Sequence, residues 1–453
     1  MSLLTLLLVL CSVFVLLLTH SSQRLRTASL PILTIYLVIC TSFLIHAPFT
    51  DVPLGLMGLK YSDIVHGVFS ARFSSELVGD VRRLSELWFD VGVFDNLVKK
   101  SCLCPIPYVD YVFEYPPVVG LLWFLTTCAS FTMSSKLTLT VSEFFNTALS
   151  INYTLQSLIL ASFTVLTFHF IRRIALTSDR PLQRSLLLIV LPSTILYTTY
   201  NWDAVASGLA VASLYAFLKK RYFTSGTLLG LSVAGKILTG GLLIPLAFHL
   251  IRGIKSGSNQ VRDLIMFSGG FLISGLGPFA ILYALSTKGF ITHHMSWYCE
   301  NCIYALMIPD IFNPLHKYLY MLLGSTLLIV IAILSYRGAL DVITLSYASV
   351  GGVVALNYIF TPQMILMVTP FALLALNRLL LYAYVIADVA NSLLIMAFFE
   401  DATLRTLLSR LVPINTGFNP WTIDSPTQWL ATIRNVAILT TITYTLIMNR
   451  VKR

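Results

Sequence analysis

Apolar stretches long enough to cross about 30 Å of hydrocarbon recur from one end of this chain to the other, and nothing else in the sequence restricts the fold as strongly. No water meets an unpaired amide inside a bilayer, so a crossing segment is either a helix or part of a closed barrel. The runs here are too long and too continuous for barrel strands, which alternate apolar and polar residues. Composition points the same way. Hydrophobic residues make up 57% of the chain and charged residues 11%, whereas a soluble domain carries about 25% charged residues. The sequence therefore predicts an all-α, polytopic membrane protein, with residues 1–453 forming one membrane domain.

Fourteen runs are legible, at 3–19, 29–48, 116–133, 149–171, 182–200, 204–218, 224–235, 237–251, 264–285, 318–336, 342–357, 364–376, 379–398 and 429–448. The first has the length of a secretory signal but neither its charged start nor its small-residue cleavage site, so it reads as a retained helix. Charge decides how many runs cross. If 116–133 lies along the outer face, the other thirteen alternate cleanly. The cytoplasmic side then receives Arg24, Arg26, Arg172, Arg173, Arg180, Arg184, Lys219, Lys220, Arg221, Arg252, Lys255, Arg262, Arg337, Arg378, Arg450, Lys452 and Arg453, more than half of the 30 basic residues. Only Asp179, Asp263 and Asp341 join them. Were 116–133 to cross, the Arg172 and Lys219 clusters would move outside, against the positive-inside rule.

Thirteen crossings follow, with the N-terminus outside and the C-terminus inside; 224–235 and 237–251 read either as two short spans or as one bent span. The net charge of +10 is then a record of topology, and nucleic acid is not an expected partner. Three sizeable segments remain on the outer face, at 49–148, 286–317 and 399–428. Within the first, residues 80–100 place Val81, Leu84, Leu87, Trp88, Val91, Phe94, Leu97 and Val98 on one side of a helix lying flat in the interface.

Most of the 20 acidic residues fall on the outer side. Asp63 follows the second run, in Lys60-Tyr61-Ser62-Asp63-Ile64. Further on comes Pro107-Tyr108-Val109-Asp110-Tyr111-Val112-Phe113-Glu114-Tyr115-Pro116-Pro117, where Asp110 and Glu114 share a side if the stretch is helical. Lys236 lies in an apolar stretch, where an ammonium either snorkels to the interface or serves a ligand. Asp388, Asn391 and Arg434 lie inside late runs and either satisfy one another or form a proton path. Cys102, Cys104, Cys299 and Cys302 lie in outer loops. They make a four-cysteine metal site or, as an oxidising exterior favours, one or two disulfides, one reading of which ties two outer loops together. Four cysteines allow three pairings, and sequence does not choose among them.

An acid after an early membrane helix, followed by Glu114-Tyr115-Pro116-Pro117 opening a surface helix, resembles the GT-C glycosyltransferases, polytopic enzymes that use lipid-phosphate sugars. Asn201-Trp202-Asp203-Ala204 at the outer end of a run, Gly226-x-x-x-Gly230 followed by Gly235-Lys236, and Asn357-Tyr358-Ile359-Phe360-Thr361-Pro362-Gln363 resemble later elements of that family, in order over nearly the whole chain. The nearest branch in appearance is the polyprenyl-phosphate-mannose-dependent mannosyltransferases related to the mycobacterial mannolipid enzymes. Two departures are visible. Met295 and Ser296 stand where the family has an arginine, and the interval from Asp63 to Pro107 is longer than usual.

The resemblance implies an inverting transfer of a hexose, mannose above others, from a polyprenyl or dolichyl phosphate to a hydroxyl of a glycan or glycolipid. The active site would face the exterior of the cell membrane, amid membrane lipids, with Asp63 as general base. Asp110, Glu114 and Tyr108 would orient the acceptor, although a cap and an ion pair explain the two acids equally well. Lys236, His293, His294 and Arg72 would meet the donor phosphate. For Arg72 the stronger reading is pairing with an acid, and the histidines are equally readable as inert interfacial residues. Glu300 and Gln363 complete the expected site, with no metal or cofactor. Two other classes compete. A secondary transporter or lipid flippase would show midplane acids and two related halves, whereas here the acids are mostly outside and no matching halves are found. A scaffold would present its outer loops to a partner.

Overall fold

The computed structural model describes residues 23–73, 88–137, 140–178, 180–286, 297–411 and 413–451. The run at 3–19 lies outside them. Helices carry the described chain, and the only bridges are two isolated pairs, Pro107 with Tyr111 and Glu300 with Ile359. Among the described residues, seven helices are long and apolar enough to cross a membrane: Pro117–Ser135, Val141–Thr177, Ile237–Lys255, Val261–Leu285, Leu315–Arg337, Arg378–Phe399 and Pro426–Ile447. Four shorter apolar helices accompany them, Thr34–His46, Asp203–Leu218, Val342–Leu356 and Pro362–Ala375.

Only 22% of the Val261–Leu285 window and 28% of the Leu315–Arg337 window are buried within the protein. Ile273, Ile281, Tyr283, Leu322 and Ile329 all point outward. Exposed apolar area on that scale marks a surface meant for lipid rather than water. The expectation of an all-α membrane protein is met in this form.

At the centre stand Val342–Leu356 and Ile365–Ala375, buried along almost their whole length. A helix apolar on every side belongs in the middle of a bundle. Around them pack Asp203–Leu218, the 3-10 turn Ile237–Leu242 and Pro426–Val451, and Tyr222–Gly235 packs in turn against Asp203–Leu218. The Tyr222–Gly235 helix meets Val261–Phe271 through Gly226 and Gly230. A methyl group at Gly226 would collide with the Phe267 carbonyl, and one at Gly230 with Ser274. Small residues spaced by four let two backbones approach where no hydrophobic force drives helices together.

Two expected spans are broken. Residues 182–200 form separate helices, Arg184–Val190 and Pro192–Tyr197, with Leu191 extended between them. Pro192 has no N–H to give and drives the residue before it out of the helical region. The chain also breaks at Lys236, which is extended between Tyr222–Gly235 and the 3-10 turn Ile237–Leu242. The stretch is therefore two helical pieces joined at an extended lysine.

The segment 49–148 differs from expectation as well. Of the helix expected over 80–100, the described part is Val91–Val98, capped by the Asp90 side chain. Phe94, Leu97 and Val98 pack inward as expected, joined by Val93, while Val91 faces outward. Residues 107–111 form a tight turn rather than a helix. An aromatic cluster of Phe69, Phe73, Tyr111, Phe113, Trp123 and Phe131 packs this segment onto the Pro117–Ser135 helix, and a Cys104–Cys128 disulfide ties the two covalently.

Candidate active site

Ser62 is extended, and its hydroxyl accepts from Val65 N–H at 3.3 Å, opening the π-helical turn Asp63–Ser70. Asp63 is the first residue of that turn, where unpaired backbone N–H groups favour a negative charge. The residue as a whole is only partly buried. Asn201 Nδ2 donates to Asp63 Oδ2 at 2.5 Å, and Gln363 Nε2 donates to the same oxygen at 3.0 Å. These partners are 138 and 300 residues away in sequence. Asn201 and Gln363 are themselves buried, so the donors are fixed before any ligand arrives. Gly67 lies beside the site, with Tyr61 Oη and Asp63 near where its side chain would be.

Next to this cluster, Lys236 Nζ lies 3.3 Å from Asp203 Oδ1 and 6.0 Å from the centre of the Tyr115 ring. Tyr115 Oη is 3.4 Å from Asn201 Nδ2, and the Tyr115 ring packs edge-on against Trp202 at 4.7 Å. The break in the chain at Lys236 turns its side chain toward Asp203. Asp203 is fully buried, and its carboxylate has no hydrogen-bond partner besides that ion pair.

Glu300 arrives from the segment that precedes the Leu315–Arg337 helix. Its N–H donates to Tyr358 O and its carbonyl accepts from Phe360 N–H, both at 2.9 Å, and Trp297 Nε1 donates to its carboxylate at 3.1 Å. Arg434 clamps this strip from below, donating to Asn301 O at 3.1 Å, Phe360 O at 2.8 Å and Asn391 Oδ1 at 2.9 Å. Asn391 also donates to Pro362 O at 2.8 Å and to Ser193 Oγ at 3.0 Å, while Asp388 accepts from Ser193 N–H at 3.1 Å. The polar groups inside the late helices thus hold the element that carries Gln363.

Burial pushes the Asp63 carboxyl up from its usual 3.8 to about 7. The Asn201 hydrogen bond and the Lys236 charge oppose that rise, and the charges of Glu300 and Asp203 add to it. Glu300 is also raised, again by burial first. Three carboxylates here face one ammonium, so the site holds a proton near neutrality. A carboxylate poised near pH 7 has the basicity a general base requires.

The remaining expected residues divide. Arg72 is buried and donates to Val112 O at 2.9 Å, to Val68 O at 3.1 Å and to the Glu114 carboxylate. It also stacks over Trp88 and Phe113. This pair fastens the Glu114-Tyr115-Pro116-Pro117 element; all of Arg72's donor groups face protein rather than a phosphate. Asp110 does not share a side with Glu114, because the stretch is not helical. It accepts from Ile106 N–H at 2.5 Å and lines a separate surface hollow with Asp90, Asn96 and Cys102.

Tyr108 has a left-handed backbone, and its hydroxyl donates to Tyr115 O at 2.6 Å; its ring fills the space above Gly120. His293 and His294 lie outside the described residues. Asn201, Asp203 and Tyr115 join the cluster around Asp63, although the sequence offered them only as parts of motifs. The available signal was a carboxylate opening an apolar run, where burial demands a partner. The cysteines pair locally, Cys104 with Cys128 and Cys299 with Cys302, and Cys102 stays free. Neither the four-cysteine cluster nor a bridge between the two outer loops is formed.

Comparison of the chain with protein-family models, with curated proteins and with solved structures finds no match.

Proposed function

We propose that this chain is an inverting hexosyltransferase of the GT-C kind. It takes a sugar, mannose in the leading case, from a polyprenyl or dolichyl phosphate and passes it to a glycan or glycolipid hydroxyl. One observation carries the reading: Asn201 and Gln363, from two distant segments, both donate to one carboxylate oxygen of Asp63, with the Lys236–Asp203 pair alongside. Asp63 takes the proton from the acceptor hydroxyl as that oxygen attacks the anomeric carbon. The bond to the donor phosphate breaks, the lipid phosphate departs with its electron pair, and the configuration inverts. Asn201 and Gln363 hold the carboxylate in place, leaving Oδ1 toward the acceptor. Lys236 is shared between Asp203 and the departing phosphate, whose growing charge it offsets. Glu300 orients acceptor hydroxyls.

Thirteen crossings, a cell-membrane location and an exterior active site belong to this proposal, supported by the distribution of basic residues. The chemistry requires no metal, so a chelator leaves the rate of the unreduced protein unchanged. The test uses the full chain in liposomes with polyprenyl-phosphate mannose and a mannoside acceptor, the product's anomeric configuration being read by NMR. Transfer with inversion, lost in Asp63→Asn, is expected. Substrate movement across the bilayer that is undiminished in that variant would instead make the protein a transporter or flippase. Absence of both activities across lipid-phosphate hexoses would leave the scaffold reading.

A further inference from the structure

Cys299, Glu300, Asn301 and Cys302 form a tight corner in the second outer segment, closed by the Cys299–Cys302 disulfide. Both cysteines are buried, and behind them lies His316, itself 1% exposed. His316 Nδ1 is 3.8 Å from Cys302 Sγ, and one ligand atom from each of the three residues lies within 4.8 Å of the others. The other ring nitrogen, Nε2, is 2.8 Å from the Asp310 carbonyl. A carbonyl only accepts, so Nε2 donates to it and Nδ1 is the ring nitrogen that faces the sulfurs. A disulfide sulfur has no hydrogen to give that nitrogen. A histidine that donates one N–H to a backbone carbonyl and aims its other nitrogen at two cysteines has the outer-shell support typical of metal-bound imidazole.

Distances agree with that chemistry. Ligand atoms around a tetrahedral zinc, with bonds of about 2.3 Å to sulfur and about 2.0 Å to nitrogen, stand roughly 3.5 to 3.8 Å apart. The Cys302–His316 separation already has this value, and breaking the S–S bond frees the sulfurs to reach it. The surroundings are apolar, with Tyr304, Ala305, Ile311 and Leu319 packed around the pair. Two thiolates would cancel the charge of a divalent ion there.

We propose that the Cys299–Cys302 pair is reversible, and that in its dithiol form Cys299, Cys302 and His316 bind one soft divalent cation of the zinc class. A tertiary phosphine supplies the two electrons: it attacks one sulfur, the S–S bond breaks, water gives its oxygen to phosphorus, and two thiols and a phosphine oxide result. The cation then displaces both thiol protons and takes the Nδ1 lone pair, leaving a fourth place for water. This site stands independently of the transferase reading. Its consequence for the proposed active site is that Glu300 sits inside the corner that changes state.

The test uses the full chain in detergent, reduced with a phosphine under argon, equilibrated with zinc sulfate, desalted and assayed for bound zinc. About one equivalent is expected after reduction and none before it, with cobalt giving a sulfur-to-metal charge-transfer band in the reduced form alone. Wild type serves both arms, so misfolding of a variant cannot produce the difference. A Cys104→Ser/Cys128→Ser variant retains the equivalent, and His316→Ala weakens binding by about tenfold or more. Reduced protein that takes up no stoichiometric zinc overturns the proposal, as does zinc retained by Cys299→Ser/Cys302→Ser.

Discussion

Replacing Asp63 with asparagine separates the chemistry of the carboxylate from its place in the fold. The amide has the same shape and can present an oxygen to Asn201 and Gln363, so both hydrogen bonds survive. What it lacks is basicity and charge. Holding the carboxyl at about 7 instead of 3.8 makes the ionised form costly by 1.36 kcal/mol per unit, or roughly 4 kcal/mol. Partial exposure and solvent screening make this an upper limit.

The sign follows from linkage. Below about pH 4 the acid is neutral in folded and unfolded chains alike, and it contributes nothing. Between about pH 4 and 7 the unfolded chain ionises while the folded one does not, so stability falls as pH rises. Above about 7 the loss is constant. Asp63→Asn therefore melts like wild type near pH 4, gains on it progressively to pH 7, and keeps a fixed advantage beyond. Transfer activity moves the other way, falling about 10³-fold, within the range for loss of a general base. Wild-type kcat/KM rises through an acid limb centred near 7. Thermal melts in detergent from about pH 4 to 8.5, alongside transfer rates over the same range, read both effects. A variant that keeps its rate within tenfold, or one destabilised equally at every pH, would refute the assignment of Asp63 as a strained base.

Gln363→Glu places a second carboxylate beside Asp63 and raises the upper apparent pKa of the pair. The acid limb of the rate profile then shifts up by about one unit or more, so the rate drops at pH 7 and recovers in alkali. Lys236→Met strands the buried Asp203 charge and lowers stability by about 3–5 kcal/mol. Adding Asp203→Asn restores the melting temperature but leaves the donor KM high; a double variant with wild-type kinetics would reduce Lys236 to a structural partner. Gly120→Ala drives a methyl group into the Tyr108 ring and destabilises by roughly 1–3 kcal/mol, read as a lower melting temperature.

Much of the architecture was legible because lipid imposes its own code. Long apolar runs have to become helices, and those at 149–171, 264–285, 318–336, 379–398 and 429–448 did, the first of them extended by more than a turn at each end. Hydropathy was silent about breaks inside a run. Pro192 signalled the one at Leu191 through its missing N–H. Lys236 breaks the chain for a tertiary reason, turning toward a buried aspartate that begins a different helix. The same limit governed the site. Asp63 and Gln363 stood out as polar residues beside membrane helices, but nothing local says that Gln363 donates to Asp63 across 300 residues. Arg72 and Glu114 show the converse. Both suited a phosphate and an acceptor by residue type, and packing made them a clamp for each other.

The sequence by itself determined the solvent of this protein, the helical state of its backbone, and the short list of charges that an apolar environment cannot leave alone. Those follow from one-dimensional facts: run length, composition, and the positions of Lys, Arg, Asp and Glu. Only the tertiary structure decided which of those charges face one another. A buried charge selects its partner by distance, and distance in the fold is set by how helices far apart in sequence pack together.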